Sequence, residues 1–239
     1  MVHLVLVHGA WHGPWCWQRL LPRLQQPGLV CHTPCLAGLG DRATQPADKV
    51  GLATHVDELV AHLNLHNLRN VVLVGHSYAG LVVTLAAQQV RQRISCLIYM
   101  DAFVPQPGAA LFDLIDSAER AKLHEAARQR GRMIPPFPPA AYGVRDPQDA
   151  AWLAEQLTPM PMQCFEDRAM FEPQALNSIR QVYIRATASG EPDRFRRFSL
   201  GFAGRDDAGY YEVPSGHDMM ITHPQETAGI LLGECARVS

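Results

Sequence analysis

The chain has 239 residues, 47% of them apolar, which is enough for one large core and short for two. Its 21 basic and 23 acidic side chains nearly cancel and form no basic stripe, so nucleic acid and anionic membrane surfaces are excluded as partners. No stretch reaches the roughly 18 uninterrupted apolar residues of a membrane span, and residues 1–8 lack the basic start of a signal peptide. A soluble, cytoplasmic protein is expected.

The first strand is expected over 2–7 (VHLVLV), leading directly into HGAWHG at residues 8–13. A glycine-containing turn after a strand can aim backbone N–H groups at a developing oxyanion. A helix is expected over 14–25, a strand over 29–33 and a helix over 52–65. Next comes VVLVGHSYAG, residues 71–80, in which an apolar run bends abruptly at Ser77. Such a turn holds the serine in a strained conformation, and its Oγ projects from the carboxyl edge of the sheet, where α/β folds bind ligands. Strand and helix pass closely there, so the positions two before and two after must be small. Gly75 and Ala79 meet that demand, although Ala79 departs from G-x-S-x-G by a methyl group.

A helix over 78–91 and a strand over 94–100 (ISCLIYM) follow, the strand closing on Asp101. The rhythm then breaks. Residues 105–180 carry helical patches at 109–130 and 147–157, the run PPFPP at 135–139, and Met133, Met160, Met162 and Met170. A connection this long is read as a helical lid inserted into a core formed by 1–104 and 181–239. Strands at 181–186 and 209–213 precede SGHDMM at 215–220, and a last helix runs over 224–236 with Pro224 in its first turn. Six strands alternating with helices give a mostly parallel, right-handed α/β sheet, and their continuous apolar character implies helices on both faces.

Six cysteines lie scattered through mostly apolar settings and read as free thiols. Cys31 and Cys35 have neither a second pair nor a suitably spaced histidine to complete a metal site. Of eleven histidines, His217 has the position suited to the base of a Ser…acid…His order, after the last strand and before the last helix. His3, His32, His55, His62, His66, His124 and His223 read as surface or core residues, and His76 as the variable residue of the bend.

The segments HGAWHGPWCW, TPCLAGLGDR, GLATHVDELV, VVLVGHSYAG, YMDAFVP and SGHDMM together resemble the α/β-hydrolase superfamily. The nearest branch is similar to plant methylesterases and hydroxynitrile lyases and their bacterial esterase-like relatives. The resemblance implies a cofactor-free serine hydrolase acting on a small-molecule ester, with Ser77 as nucleophile and His217 as base. It also implies an oxyanion hole from the N–H groups of Ala10 and Tyr78, and it requires no metal. A homodimer is compatible with the sequence.

The third member of the triad departs from the family pattern. Where relatives place an aspartate after the strand here reading QVYIRA, this chain has Ala188 and Ser189, then Glu191 and Asp193. Asp101, at the tip of the strand expected beside the one bearing Ser77, is preferred as the acid. Glu191 and Asp193 are its rivals, Asp206 is more remote, and Asp218 is expected to point away from the base. Trp11, Tyr78, Phe103, Met219 and the lid methionines are expected to wall a pocket for uncharged, apolar or aromatic esters.

Two alternatives accompany the esterase reading. Hydroxynitrile lyases carry a threonine after the first histidine of the oxyanion turn and a lysine after the base, where this chain has Gly9 and Asp218. A non-enzymatic small-ligand receptor on the same fold would not need Ser77 and His217 intact.

Overall fold

The computed structural model describes residues 1–44, 49–188, 190 and 193–239. The first half of the chain forms β1 (Val2–Val7), β2 (Leu29–His32), α1 (Leu52–Leu65), β3 (Val71–His76), α2 (Ala79–Gln89) and β4 (Ile94–Met100). The long connection that follows holds α3 (Ser117–Arg128), β5 (Met133–Ile134), α4 (Pro147–Gln156), β6 (Met160–Pro161) and α5 (Gln163–Glu166). The chain then returns with β7 (Arg180–Ala186), α6 (Arg196–Ser199), β8 (Ala208–Val213), α7 (Met219–Thr222) and α8 (Pro224–Arg237).

Six strands form one sheet in the order β2-β1-β3-β4-β7-β8, and every neighbouring pair is parallel. The apolar runs explain this arrangement. All of β3 is buried, and β1 and β4 are buried at all but one position each, because helices cover both faces. α2 is sealed almost all round, with Ala79 to Ala87 buried, so it leads from the bend into the middle of the protein. Crossovers put β4 between β3 and β7, which sets the ends of these three strands side by side. No described helix is long and apolar enough to cross a membrane.

The expected helix over 14–25 is instead two 3-10 turns, Pro14–Trp17 and Leu21–Arg23, each with a proline near its start. Pro22 has no N–H to continue a helical ladder, so the apolar spacing is spent on short turns packed against α7 and α8. The patch expected over 109–130 is likewise shorter. Asp116 caps α3 by accepting the Glu119 N–H at 2.8 Å, which starts the helix only at Ser117.

Among the bonds that fasten the connection between β4 and β7 to the rest of the protein, two places stand out. The Asp167 carboxylate accepts the Leu52 N–H at 2.8 Å, satisfying a donor at the electropositive start of α1. At the other place Tyr142 accepts the Asp218 N–H at 2.9 Å through its carbonyl. Beside that bond Gly143 and Gly216 approach so closely that a Cβ on either would collide with the backbone of the other. Gly143 also has φ +80°, a left-handed conformation that favours glycine.

Candidate active site

Ser77 has φ +57°, the strained geometry expected of an abrupt strand-to-helix bend. Three backbone hydrogen bonds hold it there: its N–H donates to Met100 O at 3.3 Å, and its carbonyl accepts the N–H groups of Gly80 and Phe103, both at 3.1 Å. The small neighbours have measurable causes. A Cβ on Gly75 would lie 2.6 Å from Val83 Cγ2 and 2.7 Å from the Ala79 carbonyl, whereas the methyl of Ala79 is accommodated in the core. A Cβ on Gly9 would come within 2.8 Å of Ser77 Cβ, so the turn after β1 presses directly on the bend.

Asp101 follows β4 with φ +41° and is fully buried. Its Oδ1 accepts the Ala186 N–H from the end of β7 at 3.1 Å, and its Oδ2 accepts His217 Nδ1–H at 2.6 Å. The His217 ring stacks on Phe195 at 4.7 Å, with the His76 ring 4.5 Å away. Burial holds the His217 imidazole down at about 4, despite the opposing pull of Asp218, so it is neutral at neutral pH. With Nδ1–H committed to Asp101, its Nε2 carries the lone pair. Burial also pushes the Asp101 carboxyl up, against the Ala186 N–H.

The other acids are placed elsewhere. Asp193 pairs with Arg185 at 2.7 Å and accepts the Phe195 and Arg196 N–H groups near the start of α6. Asp206 is exposed. Glu191, like Ser189, lies outside the described residues. Asp218 is bonded to a different histidine, its Oδ2 accepting His12 Nε2–H at 3.0 Å, although its carboxylate stays within 4.8 Å of a His217 nitrogen.

The His12–Asp218 pair is a second buried histidine–carboxylate couple, one that sequence reading did not pair. His12 also donates through Nδ1–H to Ala10 O at 2.8 Å, so both ring nitrogens are donors. Burial alone would lower His12, but the Asp218 charge and hydrogen bond raise it; burial alone would raise Asp218, but His12 lowers it. His76 lies across the same network, its Nε2–H donating to the His217 carbonyl at 3.2 Å. The contribution of the pair is therefore complete above 3.8 and below 6.5. It is lost as pH rises through the raised His12 value or falls through the depressed Asp218 value. Either His12→Leu or Asp218→Leu leaves a buried charge without its partner and should cost about 3–5 kcal/mol in urea unfolding, with part recovered in the double variant. Single variants as stable as the parent would remove this role from the pair.

Two further histidines brace the site in neutral form. His8 donates through Nδ1–H to Gly9 O at 3.0 Å and accepts the Leu36 N–H at 3.1 Å. Tyr78 donates its hydroxyl to His55 Nδ1 at 2.9 Å, and His55 Nε2–H donates to Ala37 O at 2.9 Å, clamping the residue after Ser77. Burial keeps His8 at about 3 and His55 at about 4, against 6.5 for a free imidazole. The folded chain thus binds fewer protons than the unfolded one, and stability falls as pH drops below 6.5. Near about pH 4.5 each should cost roughly 2–3 kcal/mol. Urea midpoints compared at neutral pH and at about pH 4.5 check this, and a flat profile contradicts it.

Ser77 and His217 open onto one cavity of about 290 Å³, also lined by Ala10, Trp11, Tyr78 and Phe103. No turn or loop hydrogen bond among the described residues takes up the N–H of Ala10 or Tyr78. Trp11 is anchored by its Nε1–H to Ile134 O at 3.0 Å and packs edge-on against Phe137 at 5.1 Å. Met219 is not on the wall. It begins α7 and is fully buried as part of the hydrophobic core. Met133, Met160, Met162 and Met170 are also absent from the lining, and Leu111, Phe137, Tyr142 and Phe165 supply that wall instead. The rim is more polar than the sequence suggested: Arg194 pairs with Glu119 at 2.8 Å, and Asp116 lies beside them.

Ligand atoms of His76, His217 and Asp218 come within 4.8 Å of one another, the spacing of a metal site. Asp101 accepts from His217, Asp218 accepts from His12 and His76 Nε2–H donates to the His217 carbonyl, while His76 Nδ1 and Asp218 Oδ1 have no hydrogen-bond partner among the described residues.

A model of the alpha/beta hydrolase family matches residues 4–230. A carbendazim-hydrolysing esterase from Nocardioides sp. (strain SG-4G) is 32% identical over 95% of this chain and 97% of its own. Salicylic acid-binding protein 2 of Nicotiana tabacum is 28% identical over 96% and 95%. Among solved structures, a methylesterase from Arabidopsis superposes with a TM-score of 0.79 at 24% identity, covering 99% of both chains.

Proposed function

Because the chain belongs to the alpha/beta hydrolase family, we propose that it is a serine esterase cleaving carboxylic esters of small, largely apolar or aromatic molecules. One observation carries the mechanism: His217, held through Nδ1 by Asp101 at 2.6 Å, faces the same cavity as Ser77. Ser77 Oγ attacks the acyl carbon while His217 Nε2 takes its proton, and Asp101 stabilises the imidazolium that forms. The Ala10 and Tyr78 N–H groups receive the oxyanion, with roughly 3–4 kcal/mol of barrier resting on each such donor. His217 then protonates the leaving alcohol, and water releases the acyl group by the reverse sequence. Residues 105–180 act as a helical lid on a core of 1–104 and 181–239.

The esterase relatives support this chemistry, and the aromatic lining of a cavity near 290 Å³ supports a compact substrate. The lyase reading loses ground, since the residue after the base is a carboxylate paired with His12 rather than a free cation. Six free thiols suit a cytoplasmic setting. The test is covalent labelling. An aryl phosphonate should modify Ser77 stoichiometrically, an uncharged aryl ester should protect against it, and a dianionic phosphate ester should not. Labelling elsewhere, or none, would count against the mechanism.

A further inference from the structure

Four histidines gather at the β2 edge of the sheet, and none of them lines the catalytic cavity. Two come from strands. The register pairs His3 with Val30 and Val5 with His32, so His3 and His32 project from the same face of β1 and β2. Their rings are 5.3 Å apart, and His3 Nδ1 and His32 Nε2 share a hydrogen bond of 3.1 Å. The other two come from the C-terminal turn of α1. His62 and His66 are four residues apart, which stacks them on one side of the helix, with ring centres 4.6 Å apart. His32 faces both, at 5.7 Å from His62 and 6.3 Å from His66.

We propose that His32, His62 and His66 form a surface binding site for a divalent transition-metal ion of the zinc class, with His3 as a positioning residue behind His32. Metal–nitrogen bonds of about 2.0–2.1 Å place the centres of two imidazoles on one ion roughly 4.5–5.5 Å apart. The His62–His66 pair already has that spacing. The nitrogens of the three rings do not lie within 4.8 Å of one another as they stand, so binding requires His32, 5.7 Å from His62 and 6.3 Å from His66 by ring centres, to rotate toward the helix pair from its half-buried position. A second observation points the same way: His62 Nε2 is buried from solvent and has no hydrogen-bond partner among the described residues, an unmet need that a metal bond or water would fill. The His3 hydrogen bond occupies the remaining nitrogen of His32 and fixes its ring, as partners of metal-bound histidines commonly do. Three imidazoles leave a fourth position for water. The ligand set is all nitrogen, which favours zinc, nickel or copper over magnesium or calcium.

The ion would tie the edge strand to α1 and has no part in the hydrolytic chemistry, so the experiment needs no substrate. Untagged protein, stripped with a chelator, is titrated with Co²⁺ while its visible d–d absorption is followed, and Zn²⁺ is then added to displace the cobalt. One equivalent should bind, and saturating Zn²⁺ should raise Tm. His32→Gln, His62→Gln and His66→Gln should each weaken binding at least 10-fold, and His3→Gln by roughly 10-fold. His66 is exposed, so its variant keeps the test valid if a more buried one folds poorly. Absence of a cobalt spectrum and of a Tm shift overturns the proposal. Binding that survives His32→Gln also overturns it, reducing the site to a helix-surface chelate. So does binding that persists in all four variants, which would place the ion at His76, His217 and Asp218.

Discussion

Ser77→Ala is expected to lower kcat/KM for an activated aryl ester by roughly 10⁴–10⁶-fold, with little change in stability. In the proposed mechanism alanine removes the attacking oxygen, and of the two tyrosines on the cavity wall Tyr78 O–H is committed to His55 while Tyr142 Oη accepts the Phe137 N–H. Stability should hold because the bonds that fix the bend belong to the backbone of Ser77, not to its hydroxyl. Residual turnover would come from the oxyanion donors and from binding alone. The measurement pairs initial rates with thermal unfolding. Undiminished hydrolysis by a folded Ser77→Ala protein would sink the mechanism, and no turnover by the parent on any ester would favour a ligand receptor.

The second large effect belongs to Asp101. Asp101→Asn should keep the bond to the Ala186 N–H but turn an amide toward His217 Nδ1, forcing the imidazole into the other tautomer. Nε2 would then carry the proton and could not accept one from Ser77. A loss in kcat of roughly 10²–10⁴-fold follows, with KM nearly unchanged. Asp193→Asn is the companion measurement. That side chain serves Arg185 and the start of α6, so its loss should leave kcat within a few-fold of the parent. Collapse in Asp193→Asn together with normal turnover in Asp101→Asn would transfer the acid role to the later residue.

The sheet was legible because β1, β3 and β4 each contain at least four consecutive apolar residues, and such a run has few alternatives to a strand buried on both faces. The bend was legible for a related reason: Gly75 and Ala79 show in their size the close passage that the structure measures. Turns rich in proline were less readable, since residues 14–25 share helical spacing with a sequence that Pro22 prevents from being one helix. The pairing of His12 with Asp218 joins residues far apart in sequence, and nothing local to either announces it. Met219 was misplaced because a residue just past the base can face the cavity or the core, and the direction depends on how α7 turns.

The contact between Gly143 and Gly216 bears on how the substrate range could be redesigned. Any side chain introduced at either position would push on the loop carrying His217, so a library there would sample catalytic misalignment rather than new specificity. The part of the wall supplied by α3 lacks that constraint. Leu123, Ile115 and Glu119 reach the cavity from α3 or the turn before it, and no glycine-to-glycine contact ties them to the base. Directed evolution toward bulkier esters should therefore accumulate its changes along that wall and leave the 139–143 turn untouched.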